Sequence, residues 1–292
     1  MCRVRRLCWL LLWSAAELCA AWRITGSDLL AEDFSREFRA AAESAGLELA
    51  LDFAGSHHGW RALESGRADV ALLSFAPGQK LPAEPWHCLP LAYQAVAVVV
   101  SASLPLAQVE HRQLAGIFAA TGGAGLRRWG ELGPTEEWLV REIVPLVPDA
   151  TGSAAFTRGL ARQLLLEGRD FHPVVTAKAS PQALLAQLER EPGGIGLIPW
   201  PLSLDERFRL LAVGADQHAP AFLPTPENIH RGDYGLRWPL WLVFRREQAP
   251  QLLPLLRQLY GDKAAAALEK ARFSPLPVAV RRQVAFDLEV LK

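Results

Sequence analysis

The sequence predicts an α/β fold built on a largely parallel sheet with helices packed on its faces. Two observations carry this. From residue 22 the apolar pattern switches between strand and helix periods in the order strand, helix, strand, helix, strand, and such an order implies right-handed crossovers between parallel strands. In addition, Gly/Ser turns fall where a strand or loop run gives way to a helical pattern, at the strand ends where ligands of open α/β sheets bind.

Arg23-Ile24-Thr25 reads as the first strand, and Leu30, Phe34, Phe38 and Ala41 place one apolar face on a helix spanning residues 29–45. Residues 47–53 alternate as a second strand. Gly55-Ser56 opens a helix over 60–64, Gly66 closes it, and 68–74 is the third strand. The uninterrupted apolar run Val96–Val100 predicts a buried strand over 94–101 that carries the chain out of its first lobe, with the crossing near Val98. Beyond it, 108–118 reads as a helix, 141–147 as a strand and 154–167 as a helix opened by Thr151-Gly152-Ser153. A helix over 181–189 starts on a proline, and a strand over 195–198 follows. A strand over 238–244 and helices over 251–260 and 262–271 close the chain.

Arg3, Arg5 and Arg6, then the apolar run from Leu7 to Ala16, then small residues up to Ala21 follow the plan of a secretory signal peptide, so residues 1–21 are expected to be removed. Glu17 interrupts that run, which weighs against a retained membrane anchor, and it sits poorly beside Cys19 for lipid attachment. Cys88 is then the one remaining cysteine and excludes an internal disulfide; its simplest role is a small buried hydrophobe. The whole chain carries no net charge, and the part after residue 21 carries about −2, which excludes a strongly basic nucleic-acid binder.

A Gly/Ser turn opening a helix exposes free N–H groups at the positive end of the helix dipole, a natural site for an anion or polar ligand. Gly26-Ser27-Asp28, Gly55-Ser56-His57-His58-Gly59 and Thr151-Gly152-Ser153-Ala154 are three such turns, and together they suggest one cleft. Ser56 either contacts a ligand or merely caps its helix. Asp149 more simply caps a turn. His57, His58, His87 and Cys88 lack the spacing of a metal site, and no metal or cofactor is expected. The absence of a Gly-x-Ser-x-Gly elbow argues against nucleophilic catalysis and an enzyme.

Further short segments fall in a fixed order: Ile24-Thr25-Gly26-Ser27-Asp28, the Gly55 turn, Gly66-Arg67-Ala68-Asp69-Val70-Ala71, Leu114-Ala115-Gly116-Ile117-Phe118, Trp129-Gly130-Glu131-Leu132-Gly133, Gly194-Ile195-Gly196-Leu197-Ile198 and Pro224-Thr225-Pro226-Glu227-Asn228-Ile229. In these the chain resembles the phosphate-transporter type of periplasmic solute-binding protein. The resemblance implies a two-lobed periplasmic-binding-protein-like fold, mixed mostly parallel sheets with a hinge between lobes, and a ligand enclosed between them. It places residues 22–98 and 235–292 in one lobe and 99–234 in the other.

It also implies a periplasmic monomer that hands a small oxyanion or related polar solute to an ABC permease; the alternative is a degenerate cleft that docks on a membrane sensor or envelope partner. Ser27, Ser56 and Ser153 are expected to donate hydroxyls, and Gly26, Gly59 and Gly152 backbone amides. Asp28, His57, His58 and Thr151 complete the turns, with Ser74 and Phe75 at the cleft edge. Where phosphate-specific members carry an aspartate after the third strand and an arginine before the second-lobe turn, this chain has Ser74-Phe75 and Pro148. Losing that cation counts against inorganic phosphate, because a buried dianion without a partner is costly.

Overall fold

The computed structural model describes residues 21–76, 78–121, 125–151 and 154–290. The first segments are β1 (Trp22–Gly26), α1 (Asp33–Glu43), β2 (Leu49–Asp52), α2 (Ser56–Glu64) and β3 (Val70–Leu73). β1 lies between β2 and β3 and is parallel to both, as the alternating pattern requires. A 3-10 turn at Asp28–Leu30 precedes α1, and α2 starts at Ser56, four residues before the reading from apolar spacing, because its first turn is polar.

β4 (Trp86–Ser101) is twice as long as its apolar run suggests. Pro90, which lacks an N–H for a sheet ladder, hides its first half in the sequence. The structure accommodates it with a register shift opposite Leu240/Trp241. Next come β5 (Gln108–Glu110), α3 (His111–Phe118), β6 (Val144–Pro148), α4 (Ala154–Leu166), β7 (Thr176–Lys178), α5 (Pro181–Arg190) and β8 (Gly194–Trp200). The expected helix over 108–118 is a strand followed by a helix, with the Gln113 side chain accepting from the Glu110 amide at 2.8 Å to fix the entry.

Short segments follow: β9 (Phe208–Leu210), β10 (Ala212–Gly214), β11 (Ala221–Phe222) and α6 (Pro226–Arg231). β12 (Arg237–Arg245), α7 (Ala249–Leu259), α8 (Asp262–Lys270), β13 (Ser274–Pro275) and α9 (Val278–Val290) complete the described chain. The short strands and α6 escape a reading by period because two to six residues contain too few repeats. α9 escapes it because Val278, Phe286 and Val290 are exposed while Arg281 is buried, which blurs its apolar stripe.

One mixed sheet runs β2-β1-β3-β12-β4-β8-β6-β7, with β9 and β13 also pairing β4; β5, β10 and β11 form a smaller sheet. β4 links two halves. Residues 86–95 pair with the returning β12, and residues 95–100 pair with β8, so Ala95 bonds both ways. Both faces are covered. Val70 and Leu72 join α1 in the main core, whereas Ala71 and Leu73 join Leu63 of α2 on the opposite face. Further along, Val96, Val98 and Val100 face α3 and α4, while Ala97 and Val99 meet Leu184 and Leu188 of α5. Burial on both faces is why these strands read as apolar runs.

Arg23 and Asp69 tie β1 to the entry of β3: the guanidinium donates to Asp69 Oδ1 at 2.6 Å, and the Arg23 amide donates to Oδ2 at 2.9 Å. Burial pushes the Asp69 carboxyl up, but the hydrogen bonds from Arg23 outweigh it and hold the group below its ordinary value of 3.8. A lowered carboxylate contributes stability that is fully present above the ordinary value and is lost as pH falls through the lower folded value. Asp69→Asn is therefore expected to cost about 1 kcal/mol at neutral pH, discounted for the exposed guanidinium. The difference from the parent chain should shrink to nothing in urea titrations carried out well below pH 4.

Candidate functional site

Gly26 ends β1 with φ +148°, and its carbonyl accepts from the Gly55 amide at 2.9 Å. Ser27 is 3 % exposed and donates its amide to Leu72 O at 2.8 Å, while its side chain makes no cap hydrogen bond to the turn that follows. The two predicted turns of the first half are thus fastened to each other and to β3.

Ser56 Oγ accepts from the Ser74 amide at 3.0 Å, which leaves the hydroxyl proton able to donate. Ser74 Oγ is buried with no partner among the described residues. Ser56 is the first residue of α2 and Gly55 is its cap. The first-turn amides of Ser56, His57 and His58 are the ones the helix itself does not satisfy. The Gly59 amide, expected to serve a ligand, instead bonds Gly55 O at 2.8 Å inside the helix. Its missing side chain matters more, because a Cβ there would stand 2.8 Å from Gly26 Cα.

The adjacent histidines separate, as neighbours in a helix must. His57 is exposed, whereas His58 Nε2 lies 3.1 Å from Asp52 Oδ2, beside a shallow groove of about 380 Å³ between α2 and the edge strand β2. Phe75, like Trp60, Trp86 and Trp241, packs against the apolar cluster of Leu63, Ala71, Leu73 and Val243 and does not line the cavity between the two halves. Cys88 touches the same cluster as a free, half-buried thiol, and burial pushes its pKa up to about 11.

In the second half, Thr151 donates both its amide and its hydroxyl to Asp149 Oδ1, each at 2.8 Å, so Asp149 caps a turn. These hydrogen bonds lower the Asp149 pKa. Gly152 and Ser153 lie outside the described residues. Pro148 ends β6, and its carbonyl accepts from Arg158 Nη1 at 3.3 Å while that guanidinium covers the Phe171 ring.

A cavity of about 600 Å³ opens between the two halves. Asp28 and Glu32 line it from the β1–α1 connection, and Phe156 and Thr157 from the first turn of α4. Gln94, Ala95 and Pro199 line it where β4 changes partners, and Arg272 closes the remaining side. The volume suits a small molecule. Ser180 also borders it, but its hydroxyl already accepts from the Ala183 amide at 3.1 Å, so α5 opens there with a capped turn.

Of the predicted residues, Asp28 lines this cavity. Gln94, Thr157, Ser180 and Arg272 are additions from the structure. Gln94 carried a signal: it is the single amide in the apolar stretch from Leu89 to Val100. Among the described residues, no group of three or more His, Cys, Asp or Glu side chains could hold a metal ion.

Residues 14–259 match the family model described as the PBP superfamily domain. The chain belongs to this superfamily. Protein SphX of Synechococcus elongatus is 22% identical over 261 residues, which is 86% of this chain and 74% of that protein. Phosphate-binding protein PstS of Pseudomonas aeruginosa is 24% identical over 228 residues, covering 75% of this chain and 68% of the relative. Among solved structures, an ABC-type phosphate transport receptor from Vibrio cholerae superposes with a TM-score of 0.63 at 20% identity, covering 88% of this chain and all of that one. PstS from Borrelia burgdorferi gives 0.66 at 18%, covering 88% and 99%. The superfamily fold and the mixed sheet built around β4 agree.

Proposed function

We propose that this PBP-superfamily chain is a secreted solute-binding protein that encloses a small oxyanion or related polar ligand between two lobes, without catalysing a reaction. Residues 22–98 and 235–292 form one lobe and 99–234 the other, with β4 as the shared strand. The observation that carries the reading is the cavity lined from both halves at the point where β4 exchanges β12 for β8. Ser27 and Ser56, the free first-turn amides of α2, and the turn residues Gly152 and Ser153 are the groups proposed to supply hydroxyl and N–H donors to the ligand, beside the wall that Asp28 gives the cavity. The names of the relatives, phosphate-binding proteins and a transport receptor, support delivery of the solute to an ABC permease.

The export reading rests on the pattern of residues 1–21, which lie outside the described residues apart from Ala21. Among the described residues no helix is long and apolar enough to cross a membrane. A periplasmic location follows from the family and the leader pattern together.

One observation favours a second reading. Pro148 stands where a cation is expected, Asp149 and Thr151 satisfy each other, and Arg158 is held on Phe171, so among the described residues of this segment the second half presents no preformed cationic jaw. A chain that has lost its ligand would serve instead as an envelope or sensor partner.

Thermal unfolding separates the two readings. A ligand that binds the native state at a hundredfold excess over its Kd adds about 2.7 kcal/mol, a rise of about 5 °C for a chain of this size. Such a rise with a phosphate, another oxyanion or a small organic acid is expected. A flat response to every member of the panel would overturn solute binding and leave the docking role.

A further inference from the structure

The first half carries a groove that the proposed ligand cleft does not use. It lies along the α2 side of β2, the outermost strand of the sheet, and encloses about 380 Å³. α2 packs mainly over β1 and β3, and on the same side of β2 the alternating residues Ala50 and Asp52 remain exposed. Ala50, Ala62 and Ala68 give the groove a floor of small side chains, which is what leaves it open.

Cations outnumber carboxylates on its wall. Arg23, Arg39, Arg67 and His58 face the single carboxylate of Asp52. Arg23 is matched by Asp69 at 2.6 Å, and Asp52 by His58 at 3.1 Å. Arg39 and Arg67 are not matched. Arg39 Nη1 donates to Leu49 O at 2.9 Å and Arg67 Nε to Ser65 Oγ at 3.0 Å, and neither guanidinium has a carboxylate within salt-bridge distance among the described residues. Most of the five N–H donors of each remain unspent.

These features narrow the occupant. The bond from Arg39 covers the Leu49 carbonyl of the outermost strand, which hinders the addition of a further strand there. Guanidinium forks match the planar geometry of carboxylates. A bare inorganic ion would leave the alanine floor facing water, whereas a short carbon chain covers it. We propose that this groove is a second binding site, for a small organic dianion whose two carboxylates pair with Arg39 and Arg67 while its carbon chain lies on Ala50, Ala62 and Ala68. The site is separate from the cavity at the β4 junction, which neither arginine lines, and it does not rest on the cleft reading.

The test is an NMR titration of the whole chain with succinate, and with inorganic phosphate as an anion that lacks a carbon chain. The arginine Nε–Hε resonances of Arg39 and Arg67 are each assigned by their disappearance in Arg39→Gln and Arg67→Gln. Both should shift saturably with succinate, and phosphate should need at least about tenfold more to reach its midpoint. In either variant the succinate midpoint, followed on the arginine that remains, should rise about tenfold, the effect of one exposed charge-assisted pair. Both side chains are exposed, so the variants should melt as the parent does. Arg282→Gln removes an exposed guanidinium from α9 and should leave the midpoint unchanged, which distinguishes a built site from general attraction between charges.

Absence of a saturable shift, equal midpoints for the two anions, or the same weakening from Arg282→Gln as from Arg67→Gln would overturn the proposal. Stabilisation of the chain by another oxyanion would then still stand for the cleft. Conversely, loss of the cleft reading would leave the shifts of Arg39 and Arg67 in place.

Discussion

Gly26→Ala is expected to lower stability by about 3–5 kcal/mol and to abolish ligand-induced stabilisation, a larger effect than any surface substitution in this chain should produce. Two causes add. The residue holds φ at +148°, a backbone conformation that a side chain strains, and a Cβ there would fall inside the Leu72 carbonyl. That carbonyl accepts from the Ser27 amide, so pushing it away also breaks the bond that fastens the turn. Gly59→Ala attacks the same contact from the other side, with its Cβ 2.8 Å from Gly26 Cα and 3.0 Å from Leu73 Cδ2, and should cost about 2–3 kcal/mol. Because both single changes spoil one close approach of β1 and α2, the double variant should cost less than their sum. Urea midpoints at constant m-value measure all three. A Gly26→Ala variant within about 1 kcal/mol of the parent would show that the turn relaxes freely.

The pair also shows where a sequence stops being legible. Gly26 and Gly59 stand out in the sequence by their Gly/Ser turns, and the structure adds a packing role that no local pattern encodes. Close approach is a property of two segments 33 residues apart in the sequence. By contrast, the opening β-α-β-α-β order was plain, because each element there is long enough to show its period and the strands are buried on both faces.

The elements that were missed have local reasons. Pro90 masked the first half of β4, and the bulge that tolerates it is formed with β12, about 150 residues later. Glu110 to His111 changes from strand to helix without glycine or proline, so the boundary within 108–118 depends on a side-chain bond from Gln113. At the site, Ser56 was identifiable from its turn, whereas its link to Ser74 was not. Gln94 was visible as an amide within an apolar strand but became informative only when β4 was seen to change partners beside it. The second-half turn kept its signature at Thr151, where Asp149 fills the capping role that ordinary turn chemistry gives it.

Trp129 makes the second large effect, and it tests the half of the molecule where regular structure is thinnest. Between α3 and β6 the described chain forms two 3-10 turns, at Trp129–Leu132 and Glu136–Trp138, and isolated bridges at Ala119 and between Arg128 and Glu142, yet Trp129 is fully buried. Its ring meets Trp138 edge-on at a centroid distance of 6.5 Å, and Nε1 donates to Gly193 O at 3.0 Å, just before β8 begins. Trp129 thereby pins an irregular segment to the sheet. Trp129→Ala should cost about 3–5 kcal/mol through the cavity it leaves. Trp129→Phe separates packing from the hydrogen bond: Gly193 O keeps the Val144 amide at 3.0 Å, so losing the indole donor strands no acceptor and should cost about 1–2 kcal/mol. Both variants lie away from the cavity at the β4 junction, so ligand affinity should survive in whichever fraction stays folded. A Trp129→Ala loss no larger than that of Trp129→Phe would mean that the segment collapses onto the space, and that β8 does not depend on it.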